Sequence, residues 1–254
     1  MDIIVIFILG IGCYMFYNGF VWLGRKRLIE NTPTSKVRSL AMGLVEVFGE
    51  VVPAADALPI DGKLLKGPLS KKDCVYYRYV VEEYRSSGKH SRWVTVKAGN
   101  SGSLFFLKDN TGAVLVNPES ATLNISSDFV FESGLGKDPP AAVKEFLAEQ
   151  NIRFEGFLGI NKKMRFTEYL LAPADKVYIM GTAADNPHVH EATGQSNVDD
   201  IMIQKGNNKL YFISDKPEKE ILKSLKWQVP LGLFGGAALI IIGLSVMLVY
   251  FGLF

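Results

Sequence analysis

The chain begins and ends in apolar runs. Residues 3–23 carry no charge, and Asn18 is the polar amide among them. Residues 230–254 carry no charge either, with Ser245 and Tyr250 as their polar side chains. About 20 apolar residues cross a hydrocarbon core of roughly 30 Å. Both runs are long enough. The sequence therefore predicts an integral membrane protein with transmembrane helices at residues 3–23 and 230–254. A cleaved signal peptide is the competing reading of the first run. It requires a basic leading region, a short core and small residues at the cleavage point. Here the chain starts Met1-Asp2, and Arg25, Lys26 and Arg27 follow the core instead of preceding it. An uncleaved anchor is expected.

All 28 Lys and Arg lie within residues 25–226, as do all of the 26 acidic residues except Asp2. The inner segment is close to neutral, which excludes the strongly basic face of a nucleic-acid binder. Pairs such as Lys71-Lys72 and Lys162-Lys163 read as solvated surface. Arg25, Lys26, Arg27, Lys219, Lys223 and Lys226 flank the two runs on the inner-segment side, and the opposite flanks have no Lys or Arg. The positive-inside rule then places the large segment in the cytoplasm and both termini on the other side. Trp22 and Trp227 stand at the same boundaries, where interfacial anchors belong. Cys13 lies in the first apolar run and Cys74 in a strand-like segment, so no disulfide between them is expected.

The inner segment reads as β-rich. Residues 37–52 carry Val45, Val47, Val51 and Val52 with Gly43 and Gly49, a pattern of strands with bulges. CVYYRYVVEEY, residues 74–84, is a run of aromatics and valines, and residues 93–96 form a short partner after the loop SSGKHS. Residues 104–107 and 113–116 flank KDNTG as a hairpin, with Gly112 supplying positive φ. Residues 120–131 alternate through Leu123, Ile125, Phe129 and Phe131. Asp138-Pro139-Pro140 caps a helix whose core face is Val143, Phe146 and Leu147. Strands resume at residues 165–171 and 176–181 around the turn APAD. Residues 201–203 and 210–213 read as a second hairpin around QKGNNK. A helix over residues 218–227 leads to the second apolar run after a break near Pro230. These elements predict one α+β domain, residues 25–227, built on a partly open barrel of the oligomer-binding (OB) type.

Five stretches carry a resemblance: TPTSKVRSLAMGLVEVFGEV, GPLSKKDCVYYRYVVEEY, LFFLKDNTGAVLVNP, RFTEYLLAPADKVYIMGTA and FISDKPEKEIL, in that order. Together they resemble the GIDE domain, also called the "beside a membrane" (BAM) domain. It is similar to the region between the two membrane helices of the Mulan-type (growth inhibition and death E3) mitochondrial ubiquitin ligases. The resemblance covers almost all of residues 25–227 and the flanking helices. It implies E3 ubiquitin ligase-like chemistry, namely protein ubiquitination, which in that family is carried by a RING domain after the second helix. A RING holds two tetrahedral zinc ions, each taking four Cys or His ligands. The sequence has two cysteines and three histidines, so a RING-less, prokaryote-like member is expected. In the mitochondrial ligases the domain faces the intermembrane space, which conflicts with the cytoplasmic placement from the charges.

Several residues invite a functional reading. His188 and His190, beside Asp185 and Glu191, would share a strand face and offer two ligands for Zn²⁺ or Cu²⁺. The plainer reading is an exposed polar loop, because no third ligand stands at a recognisable spacing, and no metal is expected. Asp109 and Asn110 offer oxygens to calcium, but the loop lacks the acidic positions of a calcium site, and a turn before a strand is expected. Glu168 falls on the apolar face of Phe166 and Leu170. A buried carboxylate there is either a partner contact or acid with a raised pKa, or makes an internal hydrogen bond or ion pair, to Arg165 or Arg78. Gly232 and Gly236 form a G-x-x-x-G, which reads as an association face either for the first helix, at Gly12 and Gly19, or for a second protomer.

No nucleophile elbow, Walker loop, dinucleotide fingerprint or H-E-x-x-H occurs. No catalytic residue, cofactor or nucleic-acid partner is assigned. The expectation is a non-catalytic, membrane-anchored interaction or scaffold module of GIDE/BAM type, linked to membrane stress or organisation. Its partners are the lipid bilayer and an unidentified protein on the same membrane, docked by strand addition on exposed β edges such as residues 75–84.

Overall fold

The computed structural model describes residues 2–54, 64–88, 90–156, 159–188, 200–206 and 210–250. The chain divides into two units, one of residues 1–33 with 216–254 and the other of residues 34–215.

The first unit is helical. Helix α1 spans Asp2–Asn31 and continues well beyond the apolar run, through Arg25, Lys26 and Arg27. The expected break near Pro230 is corrected. Pro230 is the last residue of a helix over Glu218–Pro230, a π-helical turn follows at Leu231–Gly235, and helix continues over Gly236–Tyr250. Proline brings no N–H, and the wider turn lets the chain continue past the missing hydrogen bond without ending the helix. Residues 5–31 and 218–250 are each long and apolar enough to cross a membrane.

The glycines set how these helices meet. A Cβ on Gly236 would lie 2.5 Å from the backbone N of Phe16, one on Gly19 would lie 2.7 Å from the backbone N of Leu233, and one on Gly243 would lie 2.7 Å from Leu9 Cδ2. Side-chain-free positions let two backbones approach closely and gain dispersion contact. Of the two readings of Gly232 and Gly236, the structure shows the first, an intrachain face against α1 at Gly12, Phe16 and Gly19. A second protomer would have to meet these helices elsewhere.

The second unit contains strands β1 (Thr34–Ser35), β2 (Gly43–Pro53), β3 (Leu65–Lys66), β4 (Asp73–Cys74), β5 (Tyr76–Ser87), β6 (His90–Gly102), β7 (Phe105–Lys108), β8 (Ala113–Val116), β9 (Thr122–Asn124) and β10 (Phe129–Ser133). Helix α2 (Ala141–Glu149) follows, then β11 (Met164–Leu171), β12 (Lys176–Asp185), β13 (Ile201–Gln204) and β14 (Phe212–Ser214). In the first unit the helices after α1 are α3 (Glu218–Pro230) and α4 (Gly236–Tyr250).

Five strands form a ring in the order β2, β7, β8, β13, β12 and back to β2. The 11 residues of β2 make this arrangement feasible. Residues 50–53 pair with β7, and residues 43–50 pair with β12. Every pairing is antiparallel except β8 with β13, which is parallel and rests on two partner pairs, Leu115↔Met202 and Val116↔Ile203. That thin seam leaves the barrel partly closed.

Strand alternation fills the interior. Val45, Val47 and Val51 of β2 are buried while Phe48 and Glu50 face out, as a period of two requires. Phe105, Leu107, Ile179 and Ile203 complete the same core. Fully burying an aliphatic or phenyl side chain of this size contributes about 1.5–3 kcal/mol. Gly49 is needed for a close approach, because a Cβ there would sit 2.5 Å from the Lys108 carbonyl oxygen.

A second, antiparallel sheet has the order β10, β11, β5, β6. Helix α2 packs its Val143, Phe146 and Leu147 against Tyr79, Val81, Met164 and Phe166 of that sheet, the face expected from its periodicity. Asp138 does not cap the helix. Pro140 is the N-cap residue and makes no side-chain bond; the Asp138 carboxylate instead accepts from Lys144 Nζ at 2.7 Å and Asn161 Nδ2 at 2.5 Å.

Two sequence expectations are corrected here. The loop SSGKHS is mostly strand: β5 and β6 pair out to Ser87↔His90, and the chain reverses at Gly88, whose φ of 59° suits glycine. Residues 201–203 and 210–213 are not a hairpin. β13 and β14 each pair with β12, at residues 182–185 and 178–180, on the edge that β2 leaves free. The alternating stretch 120–131 is split between sheets, β9 beside β14 and β10 beside β11.

Candidate docking surface

Strands β5 and β6 form the longest hairpin of the second unit. Alternation turns Tyr79 and Val81 toward α2 and leaves Val80, Glu82 and Tyr84 for the opposite face. The register shifts between Val81, opposite Lys97, and Glu82, opposite Thr95. Val96 is thus the extra residue of a bulge, which raises local twist.

The aromatic run expected to offer an edge does not. β5 is central, paired with β11 on one side and β6 on the other. The edge is β6, 13 residues long, and among the described residues no strand pairs with its outer side. In an antiparallel pair, alternate residues direct their N–H and C=O groups away from the partner.

Aromatic and cationic groups meet on one face beside this edge. The Tyr84 and Trp93 rings are 5.2 Å apart in an edge-to-face arrangement. The Arg165 guanidinium lies 4.1 Å from the Trp93 centroid. Lys163 Nζ lies 4.7 Å from Tyr84 and 5.8 Å from Trp93. Such cation–π contacts contribute about 0.5–1 kcal/mol each where exposed. Arg165 is also bound by carboxylates, with Nε donating to Glu132 Oε1 at 2.7 Å and Nη1 3.7 Å from Glu82. Nearby, burial pushes the Glu83 carboxyl up, but Arg85 at 2.9 Å and Lys162 at 3.4 Å outweigh it and hold the group below its ordinary value.

Arg165 and Glu168 do not pair. Three positions apart on one strand, they face opposite sides of the sheet. Of the internal hydrogen bond or ion pair expected for Glu168, the structure has the hydrogen bond, and Arg165 and Arg78 as its partners are corrected. The Glu168 side chain is fully buried, and its partners are backbone: Oε1 accepts from the Leu69 N–H at 2.7 Å and Oε2 from the Ser70 N–H at 3.1 Å. A Cβ on Gly67 would stand 2.9 Å from Oε2, so the glycine lets the turn close over the carboxylate. Glu168 thereby pins the loop before β4 to β11. Cys74 is also buried, and its thiol is pushed up to about 12 by burial first, then by the charges of Glu168, Asp73 and Asp128. It is protonated at neutral pH and unsuited to nucleophilic work.

Asp109 sits in the hairpin between β7 and β8. Its Oδ1 accepts from the Thr111 N–H at 2.6 Å, the Thr111 hydroxyl at 2.6 Å and the Gly112 N–H at 3.0 Å, and its Oδ2 accepts from the Val37 N–H at 3.1 Å. Both oxygens are engaged in holding the turn and the 3₁₀ segment Val37–Ser39. Gly112 is not in the left-handed region expected of it, and a Cβ there would meet Val37 Cγ1 at 3.4 Å. Burial would raise the Asp109 carboxyl, but these hydrogen bonds hold it below its ordinary value. Its contribution is therefore present above the unfolded carboxylate range and lost as pH falls through the lower, folded value, below about pH 4. Asp109→Ala should cost about 1–3 kcal/mol, and thermal melts should show the wild-type advantage shrinking on acidification. Equal melting temperatures at neutral pH would contradict this role.

The His188–His190 pair is only partly described, because His190 and Glu191 lie outside the described residues. The His188 backbone N–H donates to Asn186 Oδ1 at 3.1 Å. The residue lines an open pocket of about 530 Å³ with Ser120 and Asn117. No hydrogen bond joins Ser120 to His188 there. Among the described residues no group of three His, Cys, Asp or Glu side chains is placed to hold a metal ion.

Lys163 was read only as plain surface, and Arg92 and Lys97 went unremarked at the sequence level. Their signal was the absence of any acidic residue across residues 90–102, visible once those residues form one strand.

A protein-family model described as "GIDE: E3 Ubiquitin ligase" matches residues 76–249. No curated protein and no solved structure matches the chain.

Proposed function

The chain belongs to the GIDE family, and from that premise we propose that it is a membrane-anchored docking module that receives partners on an open sheet edge. The observation that carries this reading is β6, 13 residues of strand with no neighbour on its outer side among the described residues. Main-chain hydrogen bonds to an added strand supply affinity, and side-chain pockets along it supply specificity.

The helices give the module its address. Two residues separate α1 from β1, and three separate β14 from α3. We read both helices as transmembrane anchors, with the second unit cytoplasmic by the positive-inside rule. A domain tied to one membrane at both ends meets partners on that membrane at raised effective concentration. The strand order of the ring, with its one parallel pairing, supports an OB-type barrel as the platform.

Ligase chemistry, named in the family description, is on this reading supplied by a separate bound polypeptide. Within residues 1–254, two Cys and three His do not make two four-ligand zinc sites. The test is proximity labelling from the full chain in its own membrane, with reporters in residues 189–199 and at Phe254 to fix sidedness. Reproducible protein neighbours and reporters on opposite sides are expected. The absence of reproducible neighbours, together with ubiquitin transfer by the purified chain given only activating and conjugating enzymes, would overturn the proposal.

A further inference from the structure

We infer that the outer edge of β6 takes an extended peptide segment carrying acidic side chains, which adds to the sheet β10–β11–β5–β6 as a fifth strand. The inference rests on the docking reading above and names the class of partner.

The edge is chemically one-sided. β6 carries His90, Arg92 and Lys97 and no Asp or Glu. Among the described residues neither Arg92 nor Lys97 makes an ion pair or a side-chain hydrogen bond, and Lys163 makes no ion pair while stacking on Tyr84 and Trp93. The two cations of the edge strand, Arg92 and Lys97, thus border one row of outward-directed backbone groups without carboxylate partners. Elsewhere on the same sheet Arg165 is matched by Glu132 and Glu82 and Lys162 and Arg85 by Glu83, while Arg78 of the central strand lies over the Tyr169 ring, 5.7 Å from its centroid. On the edge strand itself neither Arg92 nor Lys97 is matched.

Basic residues and a bulge on an edge strand guard it against pairing with copies of itself. In β6 both devices are present, at Arg92, Lys97 and Val96. Two β6 strands brought together would set like charges against each other, which is destabilising when they stand opposite. An acidic strand meets the same groups with opposite sign. Specificity then comes from rejecting the second copy as much as from attracting the partner. Beside the edge, Trp93 and Tyr84, the latter 37% exposed, offer an apolar platform for the side chains of the added strand that point to their face.

The experiment uses the full chain in phosphatidylcholine nanodiscs. The probe is a fluorescein-labelled peptide of about eight residues that alternates Val and Glu. Its controls are the Val–Lys counterpart and the Val–Glu peptide N-methylated at every backbone amide, which cannot donate main-chain hydrogen bonds. The acidic peptide should bind at least about ten-fold tighter than either control. The double variant Arg92→Glu, Lys97→Glu, both on an exposed edge, should lose that preference and favour the Val–Lys peptide.

Equal binding of the N-methylated peptide would overturn the proposal, since charge alone would then explain it. So would a preference of the wild-type chain, lost in the double variant, for phosphatidylserine vesicles or for a second copy of the chain in place of the peptide. If labelled neighbours persist unchanged in the double variant, the docking reading stands and the β6 proposal fails. If the acidic peptide binds but no neighbour is ever labelled, the edge chemistry stands and the docking reading fails.

Discussion

Replacing Glu168 by alanine is expected to remove about 3–5 kcal/mol of stability from the second unit, from the loss of two hydrogen bonds to a charged acceptor. The carboxylate is fully buried, and the N–H groups of Leu69 and Ser70 point at it. Alanine leaves both donors without this acceptor, the Leu69 N–H in a buried site and the Ser70 N–H in a part-buried one. The loss is a large share of the roughly 5–15 kcal/mol that stabilises an ordinary domain. Glu168→Gln keeps one carbonyl oxygen for Leu69 but turns an amide donor toward the Ser70 donor, so it should fall between wild type and alanine. Urea unfolding followed by near-ultraviolet circular dichroism measures the difference. A second readout is local: freeing residues 67–70 should open the Cys74 thiol, buried in the native chain, to alkylation in a Cys13→Ser background. An alanine variant with an unchanged midpoint and an unreactive Cys74 would show that the buried carboxylate is dispensable.

Gly236→Leu should break the close contact between α1 and α4. The first added atom alone would stand 2.5 Å from Phe16 N, 2.8 Å from Phe16 Cα and 2.9 Å from the Gly12 oxygen. These are backbone atoms and cannot rotate aside. The helices must move apart, from the close spacing that glycine allows toward the roughly 8–10 Å of ordinary helix pairs. Overpacking of this kind costs about 1–3 kcal/mol, and the lost glycine contacts add to it. Spin labels on Tyr17→Cys and Phe234→Cys, both at exposed positions and again in a Cys13→Ser background, should report a longer distance in the Leu variant. Gly10→Leu is the control, because a Cβ at Gly10 meets nothing within 4 Å, and it should leave the distance unchanged. A Gly236→Leu distance that matches wild type would mean that α1 and α4 do not meet through these glycines.

The two sites differ in how they could be foreseen. The G-x-x-x-G was legible, because small residues at a spacing of four mark one helix face whatever lies opposite. Glu168 was legible as a carboxylate on an apolar face, and its burial was expected. Its partners were not, because they are backbone N–H groups 99 and 98 positions away in the chain. Every residue but proline has such a donor, so nothing in the residue pattern marks Leu69 and Ser70 out. Asp109 lies between these cases: its turn was read correctly from Asp-Asn-Thr-Gly, but its reach to the Val37 N–H was not.

The sequence by itself determined what depends on local periodicity. It determined two helices long and apolar enough for a membrane, the alternation that buries Val45, Val47 and Val51, and the face of α2 that presents Val143, Phe146 and Leu147. It also determined the family, through five ordered motifs. Beyond local hairpins such as β7 with β8, which the turn residues announced, only the tertiary structure decided which strands are neighbours. A period of two says which side chains share a face, and it is the same for a central strand and an edge strand. CVYYRYVVEEY therefore looked as though it could be an edge and is in fact central, while the polar HSRWVTVKAGNSG is the edge. The closure of the ring through β2, and the placing of β13 and β14 along one side of β12, are likewise long-range pairings. They rest on main-chain hydrogen bonds that all residue types except proline can make, so they are fixed by how the whole chain fits together and not by any one stretch of it.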